Sequence, residues 1–468
     1  MKRVVVIGGG ISGLAAAWAA HEEIEQRGVE ARVLLLEREG TVGGKARTQV
    51  RGEWTLEAGP TGFLDAEPVL DRLAERAGLE KIPARDAATR RFVVRGGRVR
   101  ALEARPLAFA QSGVLSLAGL LRLAAERWIP RRTDDGDESV LAFATRRLGR
   151  QAAERLVAPM VGGVFAGDAA AISLPAAFPR MRELEREHGS LLRAMKALRR
   201  ARGSKGGPAG SAAPLCSFAG GMQSLPRALA QRAPFTVRTL AQVSALVSGG
   251  AHSPWLVSVA GDNAPLPAHA VVLAGDPRSS AALLSKSAPA AARELAGLSC
   301  PGVAVVGLGY AAEALQRIPR GFGALIPRGE GLRSLGYVLD SHLFAGRSPS
   351  DALLVRVLLG GATDPCATAL APDDLADLAH ADMQRLFGLR EPPRFREVIR
   401  WPAAIPQYEL GHLDRVERIE TSLATTRSPS GGLFLAGNAL HGIAFGRAAA
   451  EGWRAGIDAA RSLGREAP

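Results

Sequence analysis

The residues with the plainest chemical purpose are three glycines and one acid. Gly8, Gly10 and Gly13 stand in the spacing G-x-G-x-x-G directly after the apolar run Val4-Val5-Val6-Ile7. Glu37 follows about 20 residues beyond the last glycine, where an acid can accept the hydroxyls of a ribose. Gly8 permits a tight turn, Gly10 lets a pyrophosphate approach the backbone, and Gly13 allows close packing of helix on strand. Ile11 and Ser12 open the helix, whose N-terminus offers N–H groups and a positive dipole end to phosphates. The chemistry is dinucleotide binding. An acid rather than an arginine at position 37 suits an unphosphorylated adenosine ribose, so FAD or NAD rather than NADP.

These residues require a strand, a helix and a second strand. The run from Val4 reads as a buried parallel strand, and an alanine-rich helix is expected from about Ile11 to Arg27. The second strand, Ala31 to Leu36, ends on Glu37. Arg38 follows, and then a second glycine pair, Gly43-Gly44, with Lys45. NAD does not need that pair, whereas FAD-binding chains typically carry it. The run Leu56-Glu57-Ala58 predicts a strand ending in the tight turn Gly59-Pro60-Thr61.

With 468 residues and 47% hydrophobic residues the chain is globular and long enough for several domains. No secretory signal is expected, because the first apolar segment is the strand leading into the glycine turn. Cys216, Cys300 and Cys366 form no C-x-x-C pair, so no metal site and no disulfide framework is expected, and a reducing cytoplasm fits. The net charge is +13. Between positions 85 and 205 there are 24 Lys and Arg against 12 Asp and Glu, so one internal segment carries nearly all the excess. Nucleic acid is not the expected partner; an anionic surface or an acidic substrate is.

From the second glycine pair onward the order of motifs resembles the flavin-containing amine oxidase, desaturase and protoporphyrinogen oxidase group. The match to protoporphyrinogen oxidases is carried by Gly162-Gly163-Val164-Phe165-Ala166-Gly167-Asp168, by Gly321-Phe322-Gly323-Ala324-Leu325-Ile326-Pro327, and by Asp340-Ser341. Its most diagnostic part is Ile405-Pro406-Gln407-Tyr408-Glu409-Leu410-Gly411-His412 after Arg400-Trp401-Pro402.

The resemblance implies FAD as cofactor and assigns further site residues. Val243 would set a backbone group against the adenine, and Trp401 would pack against the isoalloxazine. Gly437, Asn438, Gly442, Ile443 and Ala444 would place the last helix at the flavin pyrimidine ring. Arg91, in the hairpin Arg91 to Arg100, would hold a substrate propionate. Gly167 would face the macrocycle through its carbonyl, and Phe322, Leu325 and Leu358 would line the cavity. Gln407, Tyr408 and His412 read as structural, and His412 is not expected to be a base. Phe445-Gly446-Arg447 departs from the family pattern and puts the fine flavin contacts in question.

Pro106 to Leu121 carries no charge but falls short of the ~20 apolar residues that a spanning helix needs. Arginines flank it on both sides, which favours peripheral association with an anionic membrane over a soluble helical cap. The stretch 203–214 reads as a flexible loop.

The expected fold is α/β, with three parts. A Rossmann-like FAD-binding domain takes residues 1–62, 215–280 and 426–468. A mixed-sheet substrate domain takes 63–104 and 281–425. An inserted α-helical, membrane-facing domain takes 105–205. The resemblance implies a six-electron oxidation of protoporphyrinogen IX to protoporphyrin IX, with O2 reduced to H2O2 and no protein nucleophile. Two alternatives stay open: coproporphyrinogen III oxidation by the same fold, and a non-catalytic flavin-binding partner protein. The sequence leaves a homo-oligomer open.

Overall fold

A computed structural model describes residues 1–103, 105–202, 213–249, 255–427 and 431–464. The expected first unit forms as read: strand Lys2–Ile7, helix Ile11–Arg27 and strand Ala31–Leu36. Gly28 ends the helix in the left-handed conformation, at φ 61°. The two strands pair in parallel at the centre of a five-stranded sheet. Its order is Thr236–Arg238, Ala31–Leu36, Lys2–Ile7, Ala270–Leu273 and Gly432–Leu435, all parallel. Three well-separated stretches of chain therefore meet in one layer.

The stretch from Thr236 to Leu273 contains one antiparallel meander. Only Val243–Ser248, Trp255–Val259 and Leu266–Ala268 form it, as a three-stranded antiparallel sheet. Ala270–Leu273 is buried at every position, the pattern of a strand covered on both faces, and it joins the parallel sheet instead.

The second layer is a seven-stranded mixed sheet. Its order is Phe395–Trp401, Val303–Ala311, Ala352–Gly360, Gly336–Val338, Gly323–Leu325, Phe92–Arg95 and Arg98–Ala101. The two faces differ in a period of two along each strand. Leu353, Val355, Val357 and Leu359 pack with helix Pro372–Phe387 in one core, while Leu354, Arg356 and Leu358 point to the opposite face. On that opposite face Gly307 and Gly309 let the Thr48–Arg51 and Trp54–Glu57 hairpin lie close. A Cβ on Gly309 would sit 2.4 Å from the Trp54 ring, and one on Gly307 would sit 2.7 Å from Leu56.

Between strands Arg98–Ala101 and Leu215–Ser217 the elements among the described residues are helices. The uncharged run Pro106–Leu121 is not one helix. It divides into Pro106–Gln111 and Leu117–Ala124 around Gly113, whose φ of +72° stops the first. No helix among the described residues is long and apolar enough to cross a membrane. Of the loop expected at 203–214, residues 203–212 lie outside the described residues.

Candidate functional site

The three sequence glycines are held to their type by different neighbours. A Cβ on Gly13 would stand 1.8 Å from the Gly8 carbonyl oxygen, and one on Gly8 would stand 2.8 Å from that of Ala274. A Cβ on Gly10 would meet nothing within 4 Å. Gly8 and Gly13 thus permit the turn and the helix approach, and Gly10 opens onto free space at the N-terminus of the first helix. That N-terminus has no side-chain cap and no acid in its first turn, so its N–H groups remain for an anion. Ile11 and Ser12 follow on that turn and are buried.

Glu37 is buried at the end of its strand. Its two carboxylate oxygens accept the N–H groups of Gly9, at 2.5 Å, and Glu39, at 2.8 Å. The acid is therefore aimed and keeps lone pairs for a ribose. The backbone N–H of Ala241 donates to the Glu37 carbonyl at 2.8 Å. The segment leading into Val243 thus runs beside Glu37, although Ala241 is the residue that touches it. Arg38 is exposed next to Glu37 and pairs with Glu39.

The second glycine loop folds onto the first. Gly43 N–H donates to the Gly9 carbonyl at 2.9 Å, and a Cβ on Gly44 would lie 3.3 Å from Gly10 Cα. Gln223 fixes this loop, donating to the Val42 carbonyl at 3.0 Å and accepting Thr48 N–H at 3.2 Å. Lys45 turns inward and donates to the Ala404 carbonyl; burial lowers its pKa. Gly59 presses on the Lys45 carbonyl, where a Cβ would come within 1.9 Å. Pro60 and Thr61 complete that turn, and the Thr61 hydroxyl donates to Asp340 at 2.7 Å. Open space above Gly10, uncapped helix N–H groups and an oriented buried acid fit a dinucleotide cofactor with two phosphates and a free ribose.

The last helix, Phe445–Arg461, packs against the first. It crosses the first helix at very short range: a Cβ on Gly452 would lie 2.0 Å from the Ser12 carbonyl oxygen, and one on Gly456 would lie 2.1 Å from that of Ala16. Sequence reading missed both glycines, although G-x-x-x-G spacing inside a helix signals such an approach. Gly437 and Gly442, with φ of +108° and +72°, shape the loop before this helix. Gly437 faces Ser12 at ordinary contact distance. The Asn438 carbonyl accepts the Tyr408 hydroxyl at 2.8 Å, Ile443 packs against the cluster of Phe165 and Tyr408, and Ala444 caps the helix. The departing residues are both engaged. Phe445 is buried at 5.8 Å from the Phe63 ring, and Arg447 pairs with Glu67 and Glu451.

Two of the five substrate candidates, Leu325 and Leu358, fall on one sheet row. Register pairs Ile399 with Val305, Val305 with Leu358, Leu358 with Gly336, Gly336 with Leu325, and Leu325 with Val93. Leu358 and Leu325 are thus neighbours across Gly336, and both are only partly covered. Leu358, Trp401 and Ala166 share one apolar cluster, and Trp401 Nε1 donates to the Ala58 carbonyl at 2.7 Å. Leu325 also reaches Gly163 of helix Ala158–Phe165, where a Cβ would be 2.5 Å from its Cδ2. Arg91 lies at the exposed edge with its guanidinium 5.2 Å from the Phe322 ring centre.

Ala166 adopts φ +49°, rare for a residue with a Cβ. Its carbonyl accepts Ala362 N–H at 2.8 Å, and the Gln407 amide donates to the Phe165 carbonyl at 2.8 Å. A Cβ on Gly167 would stand 2.3 Å from Gln407 Oε1. Gln407 therefore sets the turn that presents Gly167. His412 is stacked on Tyr408 at 4.1 Å and bonded to the Leu440 carbonyl; burial pushes its pKa down to about 4. A buried neutral imidazole tied to a carbonyl is a structural group, as the sequence reading had it.

The model of the family "Flavin containing amine oxidoreductase" matches residues 11–463. A coproporphyrinogen III oxidase of Propionibacterium freudenreichii subsp. freudenreichii is 33% identical, over 94% of this chain and 87% of that protein. A protoporphyrinogen oxidase of Bos taurus is 32% identical, over 99% of both chains. A crystal structure from Exiguobacterium sp. 255-15, provisionally described as a protoporphyrinogen oxidase, superposes with a TM-score of 0.83 over 98% of both chains. At 22% identity it shows the fold alone. With a dinucleotide cradle that fits FAD and a family match over nearly its whole length, this chain belongs to the flavin containing amine oxidoreductases and is an FAD-dependent oxidase similar to the protoporphyrinogen oxidases.

Proposed function

We propose that the enzyme carries out the oxygen-dependent, six-electron oxidation of protoporphyrinogen IX to protoporphyrin IX. The observation that carries this reading is the apolar row Leu358–Gly336–Leu325 beside the Ala166–Gly167 turn, with Arg91 at its edge. A flat apolar ring system with acidic side arms fits an apolar floor and a peripheral guanidinium. FAD, when bound, supplies the hydride acceptor and passes the electrons to O2. Glu37 would hold the ribose, and the N-termini of the first and last helices would serve the phosphates and the flavin ring. Trp401 would flank the flavin side of the cavity, and the Gly167 carbonyl would accept from pyrrole N–H groups. Arg91 pairs with a propionate, a charged hydrogen bond of about 1.5–3 kcal/mol that orients the ring. The apolar row excludes water. No side chain serves as nucleophile, and His412 stays neutral within its stack.

Coproporphyrinogen III is the second reading. It is favoured by the 33% identical relative named for that substrate and by the basic surplus around positions 85 to 105. The idea of a non-catalytic partner is disfavoured by the family match over residues 11–463 and by relatives named as oxidases. Mixing the purified protein in air with each porphyrinogen and following porphyrin fluorescence tests the reading. Faster turnover of protoporphyrinogen IX is expected. Preference for coproporphyrinogen III moves the enzyme to the neighbouring reaction, and silence on both with FAD bound overturns the porphyrinogen reading.

The enzyme is further proposed to be cytoplasmic and to rest on an anionic membrane through its helical insertion. Leu107, Leu117, Leu121 and Trp128 are 64 to 74% exposed there. A hollow of about 580 Å³ is lined by Pro106, Phe109, Leu192 and Met195, with Lys196 and Arg200 among its charged residues. Apolar side chains among lysines and arginines suit the boundary of anionic lipid.

A further inference from the structure

Two buried ion pairs stand between the two sheets. Arg356 lies on strand Ala352–Gly360, on the face that also carries Leu354 and Leu358, and is 3% exposed. Its Nη1 donates to the carbonyls of Gly59, at 2.5 Å, and of Glu57, at 3.2 Å. Its Nε lies 3.2 Å from Asp340 Oδ2, while Asp340 Oδ1 accepts the Thr61 hydroxyl. Nearby, Arg347 sits 3.4 Å from Glu57 and donates to Ser217 Oγ and the Phe218 carbonyl. Glu57 in turn accepts Met222 N–H and the Thr48 hydroxyl, each at 2.9 Å.

Buried ion pairs are a poor way to glue layers together, because desolvation of both charges offsets most of their attraction. Leucines would hold the sheets at least as well. The contacts themselves suggest another role. Arg356 takes the carbonyls of residues 57 and 59, and Trp401 Nε1 takes the carbonyl of Ala58 between them. Three successive peptide planes are thereby oriented from the seven-stranded sheet. The turn they define presses Gly59 onto Lys45, and Lys45 continues the loop that covers Gly10. The Thr61 hydroxyl proton is committed to Asp340, so the Thr61 side chain can meet a cofactor as an acceptor or through its methyl group but not as a donor.

We propose that Arg356, on the seven-stranded sheet, and Asp340, at the start of the short helix after strand Gly336–Val338, are positioning residues for the flavin: they set the Gly59-Pro60-Thr61 turn as one wall of the cofactor cradle. FAD affinity and the flavin's spectrum then depend on these two side chains. The claim is independent of which porphyrinogen is oxidised, because no substrate enters its test.

The test compares wild-type protein with Arg356→Lys, Thr61→Val and the double variant Arg356→Met/Asp340→Asn, which leaves no unpaired charge. Three quantities are read: the FAD dissociation constant, the visible absorption band of bound flavin, and the unfolding midpoint of the FAD-free protein. The double variant is expected to bind FAD about tenfold more weakly, the scale of one lost charge-assisted hydrogen bond, with a displaced flavin band. Its FAD-free midpoint should stay near that of wild type. Arg356→Lys should recover most of the affinity, and Thr61→Val, which removes one donor to Asp340 and keeps the Arg356 contacts, should lose roughly threefold. An unchanged dissociation constant and band in the double variant overturn the proposal. So does a weakening that tracks an equal fall of the FAD-free midpoint with no recovery by lysine. If the double variant does not fold, Thr61→Val decides, and wild-type affinity with a wild-type band refutes the role.

Discussion

The cofactor cradle and the helical insertion are built on opposite principles. In the cradle, backbones touch. Gly13 rests on the Gly8 carbonyl, Gly452 on that of Ser12, and Gly456 on that of Ala16. In the insertion, side chains reach across. Arg147, fully buried, pairs with Glu126 and Glu185 and donates to the carbonyls of Ile129, at 2.8 Å, and Gly189, at 3.1 Å. Glu126 caps helix Leu191–Arg202 by accepting the N–H groups of Leu191 and Leu192 and the hydroxyl of Ser190. Burial alone would raise the Glu126 pKa, but these hydrogen bonds and Arg147 outweigh it and hold the carboxyl below its usual value. A cradle that must grip a rigid ligand is made of close-packed main chain. An insertion whose apolar surface faces outward has less core to bury and is cross-linked by charge instead.

The largest effect should come from adding one methyl group to the cradle. Gly13→Ala places a Cβ 1.8 Å from a carbonyl oxygen, and no rotamer change relieves it. The helix must move off the strand, at a cost of about 1–3 kcal/mol or more, and the phosphate site moves with it. Purified Gly13→Ala protein should hold almost no FAD, whereas Gly28→Ala should stay loaded. At Gly28 a Cβ meets nothing and only the left-handed φ is strained. Flavin absorbance relative to protein absorbance measures both, and a fully yellow Gly13→Ala protein would contradict the close-contact account.

This division decided what could be read from the sequence. Gly8, Gly10, Gly13 and Glu37 are local, since one strand, one helix and one turn fix their meaning, and the structure places them together. Leu325 and Leu358 share a row only because Gly336 pairs with both, a register that no local pattern encodes. They were reached through resemblance. Arg356 escaped notice because its partner Gly59 is 297 positions away and a lone arginine in a strand has no periodic signal. The uncharged run from Pro106 breaks into two helices at Gly113, where one backbone angle outranks uncharged composition. Glu126 and Arg147 looked like any other members of a charged stretch, since burial cannot be seen in a sequence that is rich in arginine throughout.

In the other region, breaking the Arg147 cross-link should lower stability and leave FAD content unchanged. Arg147→Met leaves Glu126 buried without its cation, and losses from such half-broken pairs run to about 3–5 kcal/mol. The double variant Arg147→Met/Glu126→Gln, which removes both charges and keeps an acceptor for the cap, should recover much of that loss. In urea unfolding both variants should keep stoichiometric FAD under native conditions, because Arg147 and its partners lie away from the cradle residues. Loss of flavin in step with loss of stability would show that the two regions are one cooperative unit, and the contrast drawn here would fall.

The smallest effect concerns what the insertion's outer face does. Trp128 lies beside the Glu126 cap and under the Arg127 guanidinium, 3.7 Å from its ring, so an exposed aromatic and a cation share one spot. Leu117 and Leu121 occupy successive turns of one helix face, both exposed. If this face rests on lipid, replacing Leu117 and Leu121 by glutamate removes apolar contact and adds two charges that anionic headgroups repel. Each reversal near the surface is worth on the order of 1 kcal/mol, so partitioning onto phosphatidylglycerol vesicles should weaken roughly tenfold or more. FAD content should remain full, because these side chains touch no part of the cradle. Added salt should weaken wild-type binding as the basic residues are screened. Wild-type protein that ignores such vesicles at low salt, or a double glutamate variant that binds them as well as wild type, would return the exposed leucines to the role of a soluble helical cap.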